Sequence, residues 1–174
     1  MNKKRWVHII LSIVLSMLMV IPTYAQDNSW LRNTNPLETD LQTVISADNI
    51  SKVLGTARGR LISSSELEIS TDKNGLLGIY AGTFCHVPVK QLYLTIYLEV
   101  WEEETQEWKQ LNHYDYVWNA SDHPDRDLYS AGVSLEIDDL QIGETYRLRG
   151  LHAAKSFDGI SEVMATKTSG LVLD

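Results

Sequence analysis

Three groups of residues in this 174-residue chain combine types that could do chemistry. The first is aromatic. Gln91 to Trp101 and Trp108 to Trp118 flank the acidic turn Glu102-Glu103-Glu104-Thr105-Gln106-Glu107, and pairing them as a hairpin sets Trp101 opposite Trp108. An unbroken register then places Glu99 beside Gln110, Tyr97 beside Asn112, Thr95 beside Tyr114, Tyr93 beside Tyr116 and Gln91 beside Trp118, all on one face because strand side chains alternate. The opposite face carries Leu92, Leu94, Ile96, Leu98, Leu111 and Val117 and is expected to meet the core. Tyr93, Tyr97, Trp101, Trp108, Tyr114, Tyr116 and Trp118, with Glu99, Gln110 and Asn112, would form an outward surface of rings, amides and one carboxylate. That composition stacks on sugar rings or anchors a protein partner. The competing reading is cross-strand aromatic pairing that merely stabilises the hairpin, and a slip of one residue would turn these rings inward.

The second group is acidic. Asp122, Asp125 and Asp127 fall within six residues, and carboxylates so crowded could serve calcium, which takes about six to eight oxygens. The spacing matches no calcium loop and Arg126 stands among the carboxylates, so a solvated acidic loop is the expectation. Asp72-Lys73-Asn74-Gly75 resembles half of a calcium loop and is better explained as a turn. The third group is His and Cys. His86, His113, His123 and His152 contain no pair at i, i+2 or i, i+4, so no single strand or helix presents zinc ligands. His152 shares parity with Tyr146 and Leu148 and reads as an inward or strand-end histidine, hydrogen-bonded for stability. Cys85 beside His86 invites a thiol-nucleophile reading, yet neighbours on a strand point to opposite faces. Cys85 shares parity with Leu77, Ile79, Ala81 and Val87 and is expected to be a buried apolar filler. With no Gly-x-Ser-x-Gly elbow, phosphate loop or metal motif, catalytic residues, metal and cofactor are all expected to be absent.

The elements that must position these residues are strands. After residue 55 the apolar pattern has period two, with turn signals about every dozen residues, which indicates an all-β sandwich or barrel. Eight strands are expected, at about 55–62, 66–72, 76–86, 91–101, 108–118, 128–138, 145–154 and 161–173. Asn74-Gly75 and Asp158-Gly159 suit two-residue type I′ hairpin turns. The second would set Lys155 opposite Glu162 as an exposed ion pair. Leu140-Gln141-Ile142-Gly143-Glu144-Thr145-Tyr146 resembles the tyrosine corner of immunoglobulin-like and fibronectin type III sandwiches, in which the phenol bonds back to upstream backbone; this gives Tyr146 a structural role. The fold class expected is an antiparallel immunoglobulin/fibronectin-III-like β-sandwich of seven or eight strands.

A wider resemblance spans about residues 55–173. Gly78-Ile79-Tyr80-Ala81-Gly82-Thr83, Ile96-Tyr97-Leu98-Glu99-Val100-Trp101 followed by Trp108, Tyr146-Arg147-Leu148-Arg149-Gly150-Leu151-His152, Gly159-Ile160-Ser161-Glu162 and Thr168-Ser169-Gly170-Leu171 are similar to blocks in small secreted proteins of anaerobic Gram-positive bacteria. The resemblance implies a non-enzymatic extracellular module and brings no catalytic residue.

The N-terminus sets the expected location. Lys3, Lys4 and Arg5, an apolar run from Ile9 to Ile21, and Pro22-Thr23-Tyr24-Ala25 read as a signal peptide over 1–25 with cleavage after Ala25. Its apolar stretch of about 13 residues is shorter than the roughly 20 a spanning helix requires. Residues 26–54 read as a polar linker or arm in which Leu41, Val44, Ile45 and Ile50 could form a short docking element; the domain proper is expected over 55–174. Cleavage would remove three of the 15 basic residues and none of the 23 acidic ones, leaving 12 against 23 and a balance of −11. Such a balance disfavours nucleic acid and anionic membranes, both of which need a basic face. One cysteine allows no internal disulfide. The chain therefore reads as a secreted, extracellular binding module for a glycan or a host or cell-surface protein, or as a structural, self-associating envelope protein; a hydrolase is the remote alternative.

Overall fold

The computed structural model describes residues 39–57 and 59–174, so the expected leader, the cut after Ala25 and the start of the expected arm lie outside the described residues. Ten strands follow one another: β1 Thr39–Ala47, β2 Ile50–Ala57, β3 Ile62–Thr71, β4 Leu77–Cys85, β5 Gln91–Glu102, β6 Glu107–Asn119, β7 Ser130–Ile137, β8 Thr145–Lys155, β9 Ser161–Lys167 and β10 Leu171–Val172. They pair antiparallel in two sheets, one ordered β1-β2-β3-β4-β7, the other β10-β8-β5-β6 with β9 also on β8. The architecture is the expected all-β sandwich. Its start is earlier than expected: β1 and most of β2 lie within the 26–54 range read as an arm. Val53 is fully buried, whereas Val44 and Ile45 on the outermost strand are both exposed, so β1 carries no clear alternation for sequence reading to detect.

The core follows from the alternation. Leu67, Ile69, Leu77, Ile79 and Ala81 of the first sheet face Leu94, Ile96, Leu98, Tyr146 and Leu148 of the second. Two polar groups also cross this apolar layer. His152, fully buried on β8, has Nδ1 at 2.9 Å from Thr83 Oγ1 on β4 and Nε2 at 2.9 Å from Thr166 Oγ1 on β9. The ring fits because position 150 is glycine: a Cβ there would stand 2.8 Å from His152 Nε2 and 2.6 Å from Thr166 Oγ1. The second is Glu162, whose carboxylate accepts the backbone N–H groups of Arg60, Leu61 and Ile62 at 2.6, 2.8 and 3.0 Å. It satisfies donors where the chain enters β3, ahead of Ser64, where the β2–β3 ladder begins.

That role for Glu162 corrects the expected hairpin. Lys155 pairs with Ser161 and Glu162 with Ala154, so the β8–β9 connection spans five residues rather than two. The β3–β4 connection behaves likewise, with Thr71 opposite Leu77. Type I′ turns need positive φ at both central residues. Here only the glycines provide it, Gly75 at φ 76° and Gly159 at φ 89°, while Asn74 and Asp158 keep negative φ. The Asp72 carboxylate closes its loop instead, accepting N–H from Asn74 and Leu76 at 2.9 Å each.

Candidate functional site

The β5–β6 hairpin carries the aromatic residues, and its register has a break. Trp101 faces Trp108 and Glu99 faces Gln110 as expected, but Leu98 then faces Asn112, so Leu111 is an extra residue in β6. Beyond this bulge every β6 side chain changes face relative to an unbroken register. Tyr114, Tyr116 and Trp118 come to lie opposite Ile96, Leu94 and Leu92 and pack on the core. His113 and Asp115 move outward in exchange, opposite Tyr97 and Thr95. An unbroken register would have aimed Asp115 into the sandwich; the bulge turns three half-buried rings toward the core and returns a carboxylate to solvent. Leu111, expected in the core, is 47% exposed.

The ten expected contact residues are therefore divided. Tyr114, Tyr116 and Trp118 belong to the interior side, with the Tyr116 and Trp118 rings stacked at 5.9 Å. Tyr93 does lie on the outer face but is 7% exposed, packed with Ala153 and Val163. Gln110 and Asn112 are exposed. Tyr97, Glu99, Trp101 and Trp108 remain together on the outer face of the second sheet.

Two arginines on β8, absent from the sequence expectation, organise that face. Arg147 Nε donates to Glu99 Oε2 and Arg149 Nε to Glu99 Oε1, both at 2.6 Å. Burial pushes the Glu99 carboxyl up, but the hydrogen bonds and charges of Arg149 and Arg147 outweigh it and hold the group below its ordinary value. Arg147 also lies 4.1 Å over the Trp108 ring, and Arg149 lies 4.6 Å over Tyr97. Trp101 meets Trp108 edge-on at 5.4 Å, and Tyr97 stacks with His113 at 6.3 Å. The result is a continuous strip, Trp101, Trp108, Arg147, Glu99, Arg149, Tyr97, His113. Sequence parity could have found the arginines, since Arg147 and Arg149 alternate with the core residues Tyr146 and Leu148 and must point outward.

The strip ends in a groove of about 430 Å³ beside Tyr97, Arg149 and Lys167. The side chain of Arg149 is 43% exposed, against 18% for Arg147 and 6% for Glu99. Arg149 is thus the charged group this face offers to a partner. Its guanidinium already covers Tyr97, and Arg147 covers Trp108, so these rings present edges as well as faces, and a ligand would meet a cation–π lattice rather than bare rings.

The remaining candidates stand apart. Asp122, Asp125 and Asp127 are exposed, and Asn119 Nδ2 donates to Asp122 Oδ2 at 3.1 Å. Among the described residues no group of three His, Cys, Asp or Glu is placed to hold a metal ion. Cys85 lines the apolar cluster around Ile62 and Val89, where burial, then the Glu162 charge, pushes its thiol up to about 12. It is a protonated thiol at neutral pH, without the thiolate that nucleophilic chemistry requires. The Tyr146 hydroxyl donates to Gln141 O at 3.1 Å and accepts from Gln141 N–H at 3.0 Å, closing the expected corner.

One concave feature at the far end of the second sheet had no counterpart in the sequence reading: a cavity of about 450 Å³ lined by Lys90, Arg126, Lys155 and Phe157 among others. Its residues come from three separate segments, 90–91, 119–128 and 155–157, so no local spacing announced it. In comparisons with known proteins, no family model, no curated protein and no solved structure matches this chain.

Proposed function

We propose that this protein is a secreted, non-catalytic β-sandwich binding module that acts without a cofactor, and that its contact surface is the outer face of the second sheet. The observation that carries the reading is the strip just described, in which Tyr97, Trp101, Trp108, Arg147 and Arg149 are held on one face by Glu99. Tyr, Trp and Arg are the residues most enriched where proteins bind proteins. Because guanidinium groups already sit over Trp108 and Tyr97, the surface suits an extracellular protein better than a glycan chain seeking open ring faces.

Secretion rests on the leader-like residues 1–25, and the net charge of −8 accords with an extracellular partner that is neither nucleic acid nor an anionic membrane. The resemblance to small secreted Gram-positive proteins favours the same assignment. An immunoglobulin/fibronectin-III-like identity is supported by β3-β4-β7 facing β9-β8-β5, an A-B-E against G-F-C arrangement with β6 beside C, and by Tyr146 opening the next-to-last strand of that set.

The full chain, immobilised and exposed to panels of purified extracellular proteins and of glycans, should bind members of the protein panel. Trp101→Ala and Arg149→Ala should each weaken that binding by about tenfold or more, the loss expected for anchors of this type. Binding confined to glycans, or protein binding indifferent to both substitutions, would remove the reading. If the partner is a second copy of the chain, sedimentation of the wild type will change with concentration and that of the variants will not.

A further inference from the structure

The cavity opposite the acidic β5–β6 turn is built on a locked backbone. Lys90 N–H donates to Lys155 O at 2.8 Å, and Ala120 N–H donates to Lys90 O at 2.9 Å, tying the approach to β5, the end of β6 and the end of β8 together. These bonds fix the Cα positions of Lys90 and Lys155 at the mouth, and the loop after β6 adds Arg126. Three cations thus line one concavity with a single carboxylate, Asp127, in a chain whose net charge is −8. The side chains of Lys90 and Arg126 make no ion pair with any described residue. Lys90 and Arg126, like charges lining one cavity, repel, and an anion entering between them relieves that repulsion.

The rest of the lining limits what anion fits. Phe157, at the tip of the β8–β9 loop, is 67% exposed, and its ring edges the cavity. An exposed ring beside cations is a platform for a ligand with one apolar face. Gln91 Nε2 donates to Asn119 Oδ1 at 2.9 Å, so an oriented amide pair forms part of the wall and can meet hydroxyls. About 450 Å³ lies in the range of small-ligand sites, space for one or two sugar rings.

We propose that this cavity binds a carboxylate-bearing pyranose, its carboxylate between Lys90 and Arg126 and its apolar ring face on Phe157. A bare inorganic anion would use the cations and leave Phe157 without a role; a neutral sugar would use Phe157 and leave Lys90 and Arg126 without an ionic partner. The site shares no residue with the outer strip, so it stands or falls separately from the protein-binding reading above.

Calorimetric titration of the full chain with an oligogalacturonate, an uncharged oligogalactose of equal length, and inorganic phosphate tests the assignment. The oligogalacturonate should bind, and bind more weakly as salt rises from about 50 to about 500 mM. The uncharged oligosaccharide and phosphate should each bind about tenfold or more weakly than it does. Lys90→Gln combined with Arg126→Gln should cost about tenfold or more, and Phe157→Ala several-fold; all three residues are surface positions whose replacement leaves the core intact. Trp101→Ala and Arg149→Ala should leave this binding unchanged. Absence of oligogalacturonate binding, equal binding of the uncharged sugar, or indifference to the double charge substitution overturns the proposal. Phosphate binding as tight as the oligosaccharide overturns its sugar half, and loss through Trp101→Ala moves any sugar site to the outer strip.

Discussion

The imidazole of His152 ties the two sheets together through the middle of the sandwich. Both ring nitrogens are bonded, to Thr83 on one sheet and Thr166 on the other, and no solvent reaches it. Burial lowers its pKa from 6.5 to about 3, so the folded protein keeps the imidazole neutral where an unfolded chain would protonate it. The unfolded state then binds more protons than the folded state at every pH between those values, and stability falls as pH falls through that window. Between pH 6 and pH 5, above the ordinary range of the carboxylates, urea-unfolding free energy should drop by about 1 kcal/mol, approaching the 1.4 kcal/mol per pH unit of one linked proton. His152→Gln should be less stable at neutral pH and should lose that slope. A wild-type curve flat from pH 7 to pH 5 would show that the ring is not held neutral by burial.

At the scale of elements, the β6 bulge decides which side chains can form a site. The residue before it, Gln110, and those after it, from Asn112, keep the faces seen here even if Leu111 is deleted, because deletion simply straightens the strand so that Asn112 stays opposite Leu98. The Leu111 deletion should therefore fold with Tyr116 and Trp118 still inward, change unfolding free energy by no more than about 1 kcal/mol, and leave tryptophan emission at the wild-type wavelength. Were the strands in unbroken register, the same deletion would flip Tyr114, Tyr116 and Trp118 and shift the emission. The sequence carried the needed hint: with no bulge, His113 and Asp115 fall on the face of Leu111 and Val117, and a carboxylate directed into an apolar layer is costly. The alternation of β5, β8 and β4 was legible because each of those strands lies between two neighbours and packs one full face on the core. Turn dipeptides were less informative, since Asn74-Gly75 and Asp158-Gly159 fix a glycine with positive φ without fixing loop length, which the side chains of Asp72 and Ser156 decide. The Lys90–Arg126–Phe157 cavity was not legible at all, being assembled by pairings that join residues far apart in the chain.

For the molecule as a whole, the hairpin β1–β2 extends the first sheet beyond what the seven central strands require, and it is tied into both sheets. Val53 is fully buried, and buried Ser51 accepts the N–H of Ser169 with its hydroxyl at 3.0 Å, linking β2 to the segment between β9 and β10 on the opposite sheet. Lys52 pairs with Glu66 and, at 3.5 Å, with Glu68 across the β2–β3 ladder. A chain begun at Gly55, where the period-two pattern first becomes plain, would lose β1, Ser51 and Val53, and would turn β3 into an open edge. Burial of the valine is worth about 1.5–3 kcal/mol and the buried hydrogen bond about 1 kcal/mol more. Exposed ladder groups on β3 also offer a template for pairing between molecules. The chain begun at Gly55 should therefore unfold about 3 kcal/mol more easily in urea than one begun at Thr39 and should associate at concentrations where the longer chain does not. Equal urea midpoints and equal sedimentation for the two chains would mean that the hairpin is an appendage, and that the sandwich closes on β3 by itself.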